Sequence, residues 1–413
     1  MPSSTSLSEP PRKRRTAPRV TPKADAVPER IHDGALPRGL RLTASDRPGQ
    51  AQPVPVRDIP DQPWVRIGIA AAVALLVMVG GWEYWARSYG LRTADIGDSP
   101  QAWAEQRAAV KPDDVLLVGD SRIFFDTDLA WFERLTGVRP RQLAIPGTNG
   151  RILMQDLAYD PAYRGLLIVG MADTSFFRPD GAGIGGPWIS GYQRNREPSQ
   201  ISGLWIDRWL QGRLAFLDDD LRFSSLLRRN DHGWRAGVDS PYLDVWKISE
   251  TFPGRQTFMW HRIEEPGYLR AQARGAWHNF EGPVQKPAIT GRVIAHSRRA
   301  VEALRRHGGD VVFLRPPSAP PIRANEEKRL PKARNWDALL AGVPAKGIHV
   351  DDLPNAQGLY IPEWSHLSRA CARVFTDAYV RRLVQLTPRL RLRADAPPPL
   401  TPADCLKGVP ANR

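Results

Sequence analysis

Val115-Leu116-Leu117-Val118-Gly119-Asp120-Ser121-Arg122 decides how the chain is read. Four apolar residues end at a glycine. By length and flanks they form a strand buried on both faces, the kind found in a parallel sheet. The Gly-Asp-Ser that follows turns toward a helix, exposing a serine at the sheet's carboxyl edge. Gly119 permits the tight turn. Ser121 then lies near a helix start, where backbone N–H groups stabilise a developing oxyanion.

Working downstream, strand and helix signals alternate. Asp126 to Thr136 carries apolar positions at Leu129, Phe132 and Leu135, and Gly137 can close that helix. Gln142 to Ile145 is a second strand, ended by Pro146-Gly147, and Leu166 to Val169 is a third. The pattern returns with an amphipathic helix from Val293 to Arg306. A strand from Val311 to Leu314 ends in Arg315-Pro316-Pro317. A short strand at His349-Val350 and a closing helix from Leu367 to Leu386 complete it. Strands separated by helices predict an α/β fold with a parallel sheet covered on both faces. An insertion at about 176–287 is rich in tryptophan, including Trp188, Trp205, Trp209, Trp234, Trp246, Trp260 and Trp277. Its Leu204 to Leu227 stretch is partly helical in pattern. Insertions at strand carboxyl ends commonly build a binding cleft; for most of these tryptophans, packing within the insertion is the simpler role.

A nucleophilic serine needs a base, and the base needs a carboxylate to orient it. Ile361-Pro362-Glu363-Trp364-Ser365-His366-Leu367-Ser368 offers both three residues apart, just before the last helix. The chain has only 8 histidines, so one in this place carries weight. A helix-capping or core histidine is the structural alternative.

Gly119-Asp120-Ser121 early and Glu363-x-x-His366 late resemble the SGNH/GDSL hydrolase superfamily, over about 113–386 with the insertion between. The resemblance implies a flavodoxin-like three-layer α/β/α fold and a Ser121–His366–Glu363 mechanism without a metal or cofactor. Ile145-Pro146-Gly147-Thr148-Asn149 looks like the family's glycine block, making the Ser121 and Gly147 amides oxyanion donors. Two positions depart from the pattern. Glu363 stands where the family usually has Asp; Asp351 or Asp352 could replace it, or the site could run as a Ser-His dyad. Val169-Gly170-Met171-Ala172-Asp173 has Ala172 where the family has an asparagine. Asn149 could supply that amide from the neighbouring loop, or serve only as a turn residue before Gly150. Arg122 and Arg315 both fall at strand carboxyl ends, either to bind an anionic substrate such as an acidic sugar or as solvated charge.

Upstream, no residue from Ile67 to Trp82 is charged. With Trp64 before it and Tyr84-Trp85 after it, a segment at 63–86 approaches the roughly 20 residues that cross a bilayer. It starts too late for a cleavable signal peptide, and no clean small-x-small site follows. Residues 1–62 are rich in Pro, Ser, Arg and Ala and lack a hydrophobic period, which predicts disorder. Residues 1–66 carry 12 Lys/Arg against 7 Asp/Glu, including Arg12-Lys13-Arg14-Arg15. The positive-inside rule then places the N-terminus in the cytosol of a bacterial inner membrane and the main domain outside. A connector at 87–112 leads to the main domain at 113–387, and a Pro- and Arg-rich tail at 388–413 is expected to be disordered.

The formal charge of +14 permits an anionic partner, but no zinc-finger spacing or RNA-binding aromatic signature supports nucleic acid. Cys371 and Cys405 form no Cys-x-x-Cys pair, which excludes a zinc site built of thiolates. In an exported domain they could pair and tie down the tail; otherwise one is a buried thiol and the other free. The expectation for function is ester hydrolysis or O-acyl transfer on a cell-envelope or exported polysaccharide, with a glycan substrate and a membrane-bound acyl-transfer partner. The rival is a non-catalytic envelope protein of the same fold that binds a glycan or an assembly partner.

Overall fold

Five short strands, the inner ones apolar, pair in parallel and form the core of the larger unit. In the computed structural model these strands are β1 (Val115–Val118), β2 (Arg141–Gln142), β3 (Leu166–Gly170), β4 (Asp310–Arg315) and β5 (Lys346–His349), in the spatial order β2-β1-β3-β4-β5. The structure describes residues 40–41, 54–55, 61–178, 183–231, 247–277, 282–407 and 409. The chain divides into two compact units, Met1–Ala74 and Leu75–Arg413. The expected disorder of 1–62 lies outside the described residues, apart from residue 61, residue 62 and a two-residue strand pair, Leu40–Arg41 with Val54–Pro55.

Register explains why both faces of the sheet are apolar. Leu116 pairs with Leu167 and Leu117 with Ile168. Successive side chains point to opposite faces. Val115, Leu117, Leu166, Ile168, Val312 and Leu314 share one buried cluster with Phe132, Leu135, Phe375 and Tyr379. Leu116, Val118, Leu167, Val169, Val311 and Phe313 share another with Trp103, Leu153, Val301, Leu304 and Trp336.

Local capping sets the helix boundaries. A separate short helix, Ser121–Phe125 (α1), precedes the one expected from Asp126 to Thr136, which begins later, at Leu129–Thr136 (α2). Asp128 accepts the Trp131 N–H and starts α2, and Gly137 closes it at φ +76°. Gly150–Ala158 (α3) and Pro287–Arg306 (α4) precede and follow the insertion. Pro320–Arg329 (α5) follows β4, and Arg369–Leu386 (α6) closes the core behind the Ser368 cap.

The tail departs from expectation. Leu390 and Cys405 are buried against the sheet's first cluster, together with partly buried Leu392, Leu400 and Leu406. Arg393 N–H donates to Leu135 O, and Leu400 N–H donates to the Asp377 carboxylate. A disulfide joins Cys371 in α6 to Cys405. The proline-rich composition hid these scattered anchors, because they follow no helical or strand period.

Helix Trp64–Tyr89 holds the uncharged run and is long and apolar enough to cross a membrane. Its last turns pack on the insertion. Trp82 lies against Phe216 and Phe223, Ala86 is buried, and the Trp260 indole donates to Gly90 O. A hairpin within the insertion, Ser249–Phe252 with Gln256–Met259, is bound to the sheet edge. At its turn Arg255 donates to the carbonyls of Gln142 and Ala144 and pairs with Asp98.

Candidate active site

The turn after β1 is built at backbone distance. Gly119 has φ +146°. A Cβ there would lie 2.2 Å from Gly170 O, and one on Gly170 would lie 2.2 Å from the Ile123 Cβ. Only glycine lets the serine turn, the end of β3 and the start of α3 meet this closely. Asp120 then fixes the turn: its carboxylate accepts the Arg122 N–H at 3.1 Å and the Ala172 N–H at 2.7 Å. Burial holds its carboxyl above the usual range, against the opposing pull of Arg122. Asp120 therefore orders the loop, and Ser121 stands at its tip, partly exposed.

The second half of the site comes from the loop before α6. Trp364 adopts a left-handed φ of +81°. This reversal lets Glu363 reach forward over its own loop. One carboxylate oxygen accepts the N–H groups of Ser365 at 3.1 Å and His366 at 2.5 Å, and lies 3.0 Å from His366 Nδ1. The other oxygen accepts the Trp277 indole N–H at 2.5 Å. Glu363 is fully buried, so these four contacts replace its hydration. Asp351, the alternative acid, pairs instead with Arg323 and lies beside His349.

Helix α1 joins the two halves. It begins with Ser121; at its end Phe125 stacks on the His366 ring at 4.4 Å. Asp126 accepts the Leu367 N–H at 2.8 Å, and Arg122 donates to Ser365 Oγ at 3.3 Å. Asp126 is fully buried, and desolvation pushes its carboxyl well above the ordinary value. His366 Nε2 is buried and has no hydrogen-bond partner among the described residues, so Ser121 Oγ does not bond it here.

A cavity of about 330 Å³ opens at this point, lined by Ser121, Gly147, Ala172, Trp277, Trp364 and Glu326 among others. No family model and no curated protein matches the chain. The site therefore stands on its geometry.

That geometry reassigns two of the expected ligand-binding residues. Asn149 does not line the cavity; its side-chain oxygen accepts the Arg151 N–H at 3.0 Å and caps α3. Its asparagine role is thus the structural one, because the helix start needs an acceptor. Arg315 is fully buried and bound to Asp173 at 3.0 Å and to Glu326. It is neither solvated nor open to a ligand. Arg122 lines the cavity but is also held by Glu326, at 2.5 Å, with its Nη1 left without a partner among the described residues. Between two guanidinium groups and the Ser318 hydroxyl, the Glu326 carboxyl is drawn down to about 2 despite burial. Among the described residues no group of His, Cys, Asp and Glu is placed to hold a metal ion.

Two contributors escaped the sequence reading. Trp277 was one tryptophan among many, and only the fold brings its indole to Glu363. Glu326 lies in a charged helix, Pro320–Arg329, whose pattern marks no inward position.

Proposed function

We propose that the chain is a membrane-anchored serine enzyme of acyl transfer, with Ser121 as nucleophile, His366 as base and Glu363 as the group that orients it. One observation carries this reading. His366 is oriented through Nδ1 by a buried carboxylate, has an unpartnered Nε2, and packs on the short helix that begins with Ser121 at a cavity. An unpartnered buried polar atom costs roughly 1–3 kcal/mol, and a substrate-induced bond to the serine would recover it.

In this mechanism Ser121 Oγ attacks an ester carbonyl carbon while its proton passes to His366 Nε2. The oxyanion is stabilised by the backbone N–H groups of Ser121 and Gly147. Collapse expels the alcohol, which takes the proton from Nε2. Water or a sugar hydroxyl then adds to the acyl-serine, gives its proton to His366, and leaves as acid or new ester when Ser121 is reprotonated. Glu363 keeps the imidazole in the required tautomer and offsets its charge.

The finer architecture supports the same reading. Across the sheet the strands run 2-1-3-4-5, the order of flavodoxin-like folds, whose ligands sit at the switch between the first and third strands. Ser121 follows that first strand. We read the fold as three-layered and Trp64–Tyr89 as a single-pass anchor in a bacterial inner membrane, the cytosolic side before it and the catalytic domain outside. That placement favours a cell-envelope or exported polysaccharide as substrate, with a membrane-bound partner as acyl donor.

Ala172 at the cavity favours the rival reading, a non-catalytic glycan or assembly binder, because the oxyanion site then has backbone donors alone. A fluorophosphonate probe separates the two. Labelling of the full chain that Ser121→Ala abolishes supports acyl transfer; an unlabelled, folded wild type supports the binder.

A further inference from the structure

The insertion carries apolar side chains that its own packing does not use. Ile201, Trp205 and Trp209 recur every four residues along helix Pro198–Gln211 and so share one face. Trp205 is 66% exposed and Trp209 58%, with Ile206 open beside them. Phe223 and Leu227 repeat the spacing on helix Phe223–Asp231 and are exposed too. Large exposed aromatic surface marks an interaction site.

Its position names the partner. Between these two helices in the chain, Phe216 sits on the last turns of Trp64–Tyr89. Its N–H donates to Glu83 at 3.1 Å, and its ring lies 6.1 Å from Trp82. Phe223 packs edge-on against the same Trp82 at 5.7 Å. Trp82 ends the uncharged run, and Leu75 to Met78 just before it are exposed. Phe216 and Phe223 therefore adjoin the turn where the apolar helix leaves its lipid-compatible stretch, and helix Pro198–Gln211, which bears the exposed tryptophans, leads into that contact through Ala215–Leu217. Exposed Arg213 lies 4.1 Å above the Trp209 ring, an arrangement in which the aromatic enters an interface and the guanidinium meets phosphate.

We propose that Ile201, Trp205, Ile206, Trp209, Phe223 and Leu227 form a membrane-docking face that lies in the headgroup region of the bilayer spanned by Trp64–Tyr89. The occupant is phospholipid, reached by apolar side chains with arginine at the rim. The main domain then rests on the bilayer at a fixed orientation and does not swing on a tether, which fixes the height at which the Ser121 cavity meets substrate. This rests on the anchor reading above.

The test uses the full-length chain in lipid nanodiscs. Single cysteines at Trp205→Cys, Leu227→Cys, Val77→Cys and Ala295→Cys are labelled with an environment-sensitive fluorophore; the native Cys371–Cys405 disulfide leaves the new thiol free to react. Two kinds of quencher are used: lipid, spin-labelled near the headgroup for positions 205, 227 and 295 and deep in the acyl chain for position 77, and aqueous iodide. At positions 205 and 227 the spin-labelled lipid is expected to remove most of the emission and iodide little; at exposed position 295 the reverse is expected. Both sites being as open to iodide as 295, with position 77 quenched by lipid, overturns the docking face and leaves the anchor standing. Protection from both quenchers means that polypeptide covers the face and also overturns the proposal. Failure of lipid quenching at position 77 removes the anchor itself.

Discussion

Glu363→Gln tests whether the carboxylate acts by its charge or only by its shape. In the wild type one oxygen serves Ser365 N–H, His366 N–H and His366 Nδ1, and the other serves the Trp277 indole. A glutamine has a single oxygen. Placed over the first three donors it preserves the loop, and its NH2 then opposes the Trp277 N–H. That lost bond and donor apposition costs roughly 1–3 kcal/mol of stability, against three lost bonds for the flipped amide. The tautomer of His366 is kept, so the catalytic loss is the missing charge opposite the imidazolium. Two unit charges about 4 Å apart at an effective dielectric of about 20 interact by about 4 kcal/mol, equivalent to about a thousandfold in rate. The assay is the second-order rate of fluorophosphonate labelling of the full chain in detergent, read beside urea unfolding. Adding Trp277→Phe removes the opposed donor, so the double variant should regain stability and stay slow. A Glu363→Gln rate within about tenfold of wild type, or recovery of rate together with stability, refutes the electrostatic role.

Other expectations follow from the same geometry. Cys405→Ser opens a link spanning 34 residues, worth up to about 4 kcal/mol by chain entropy; urea unfolding should show a loss of that order, while labelling at Ser121 stays within about twofold. Gly170→Ala drives a methyl into Ile123 and should lower stability by about 1–3 kcal/mol or prevent folding, and Ile123→Ala should partly rescue it. A Gly170→Ala chain as stable as wild type contradicts the close approach. The acid limb should begin early. His349 accepts the Asp351 N–H through Nδ1, and burial with nearby Arg315 lowers its pKa to about 4. The unfolded chain takes up that proton first, so the contribution is complete above about pH 6.5 and is lost as pH falls to about 4. His349→Asn keeps an acceptor and should flatten the dependence of the urea midpoint over that window; an unchanged slope rejects the assignment. Glu326 adds a second loss in the same direction below about pH 4.5, fading toward pH 2.

What could be read from the sequence, and what could not, follows from the range of the interactions involved. Val115–Val118 and Leu166–Gly170 were legible because a strand buried on both faces needs an unbroken apolar run, and that is a local property. The meeting of the Ser121 and His366 segments was legible only as chemistry, a nucleophile in want of a base, since nothing local encodes an approach across more than 240 residues. The means of that approach was hidden. Asp126 read as the start of a helix and Phe125 carried no signal, and their contacts with Leu367 and His366 appear only once the loop before α6 is laid beside α1. Arginines gave the least reliable reading. Arg315 at a strand end looks the same in sequence whether it faces solvent or a buried carboxylate, and its partner Glu326 comes from a helix with no apolar stripe to orient it. A buried ion pair satisfies charge against charge, and no hydrophobic period announces it. The tail was misread for a related reason: proline and arginine lower the mean hydropathy, yet a disulfide and a few spaced leucines suffice to hold it. The elements missed are thus those fixed by pairwise polar contacts between distant segments, and the candidate site is made almost wholly of them.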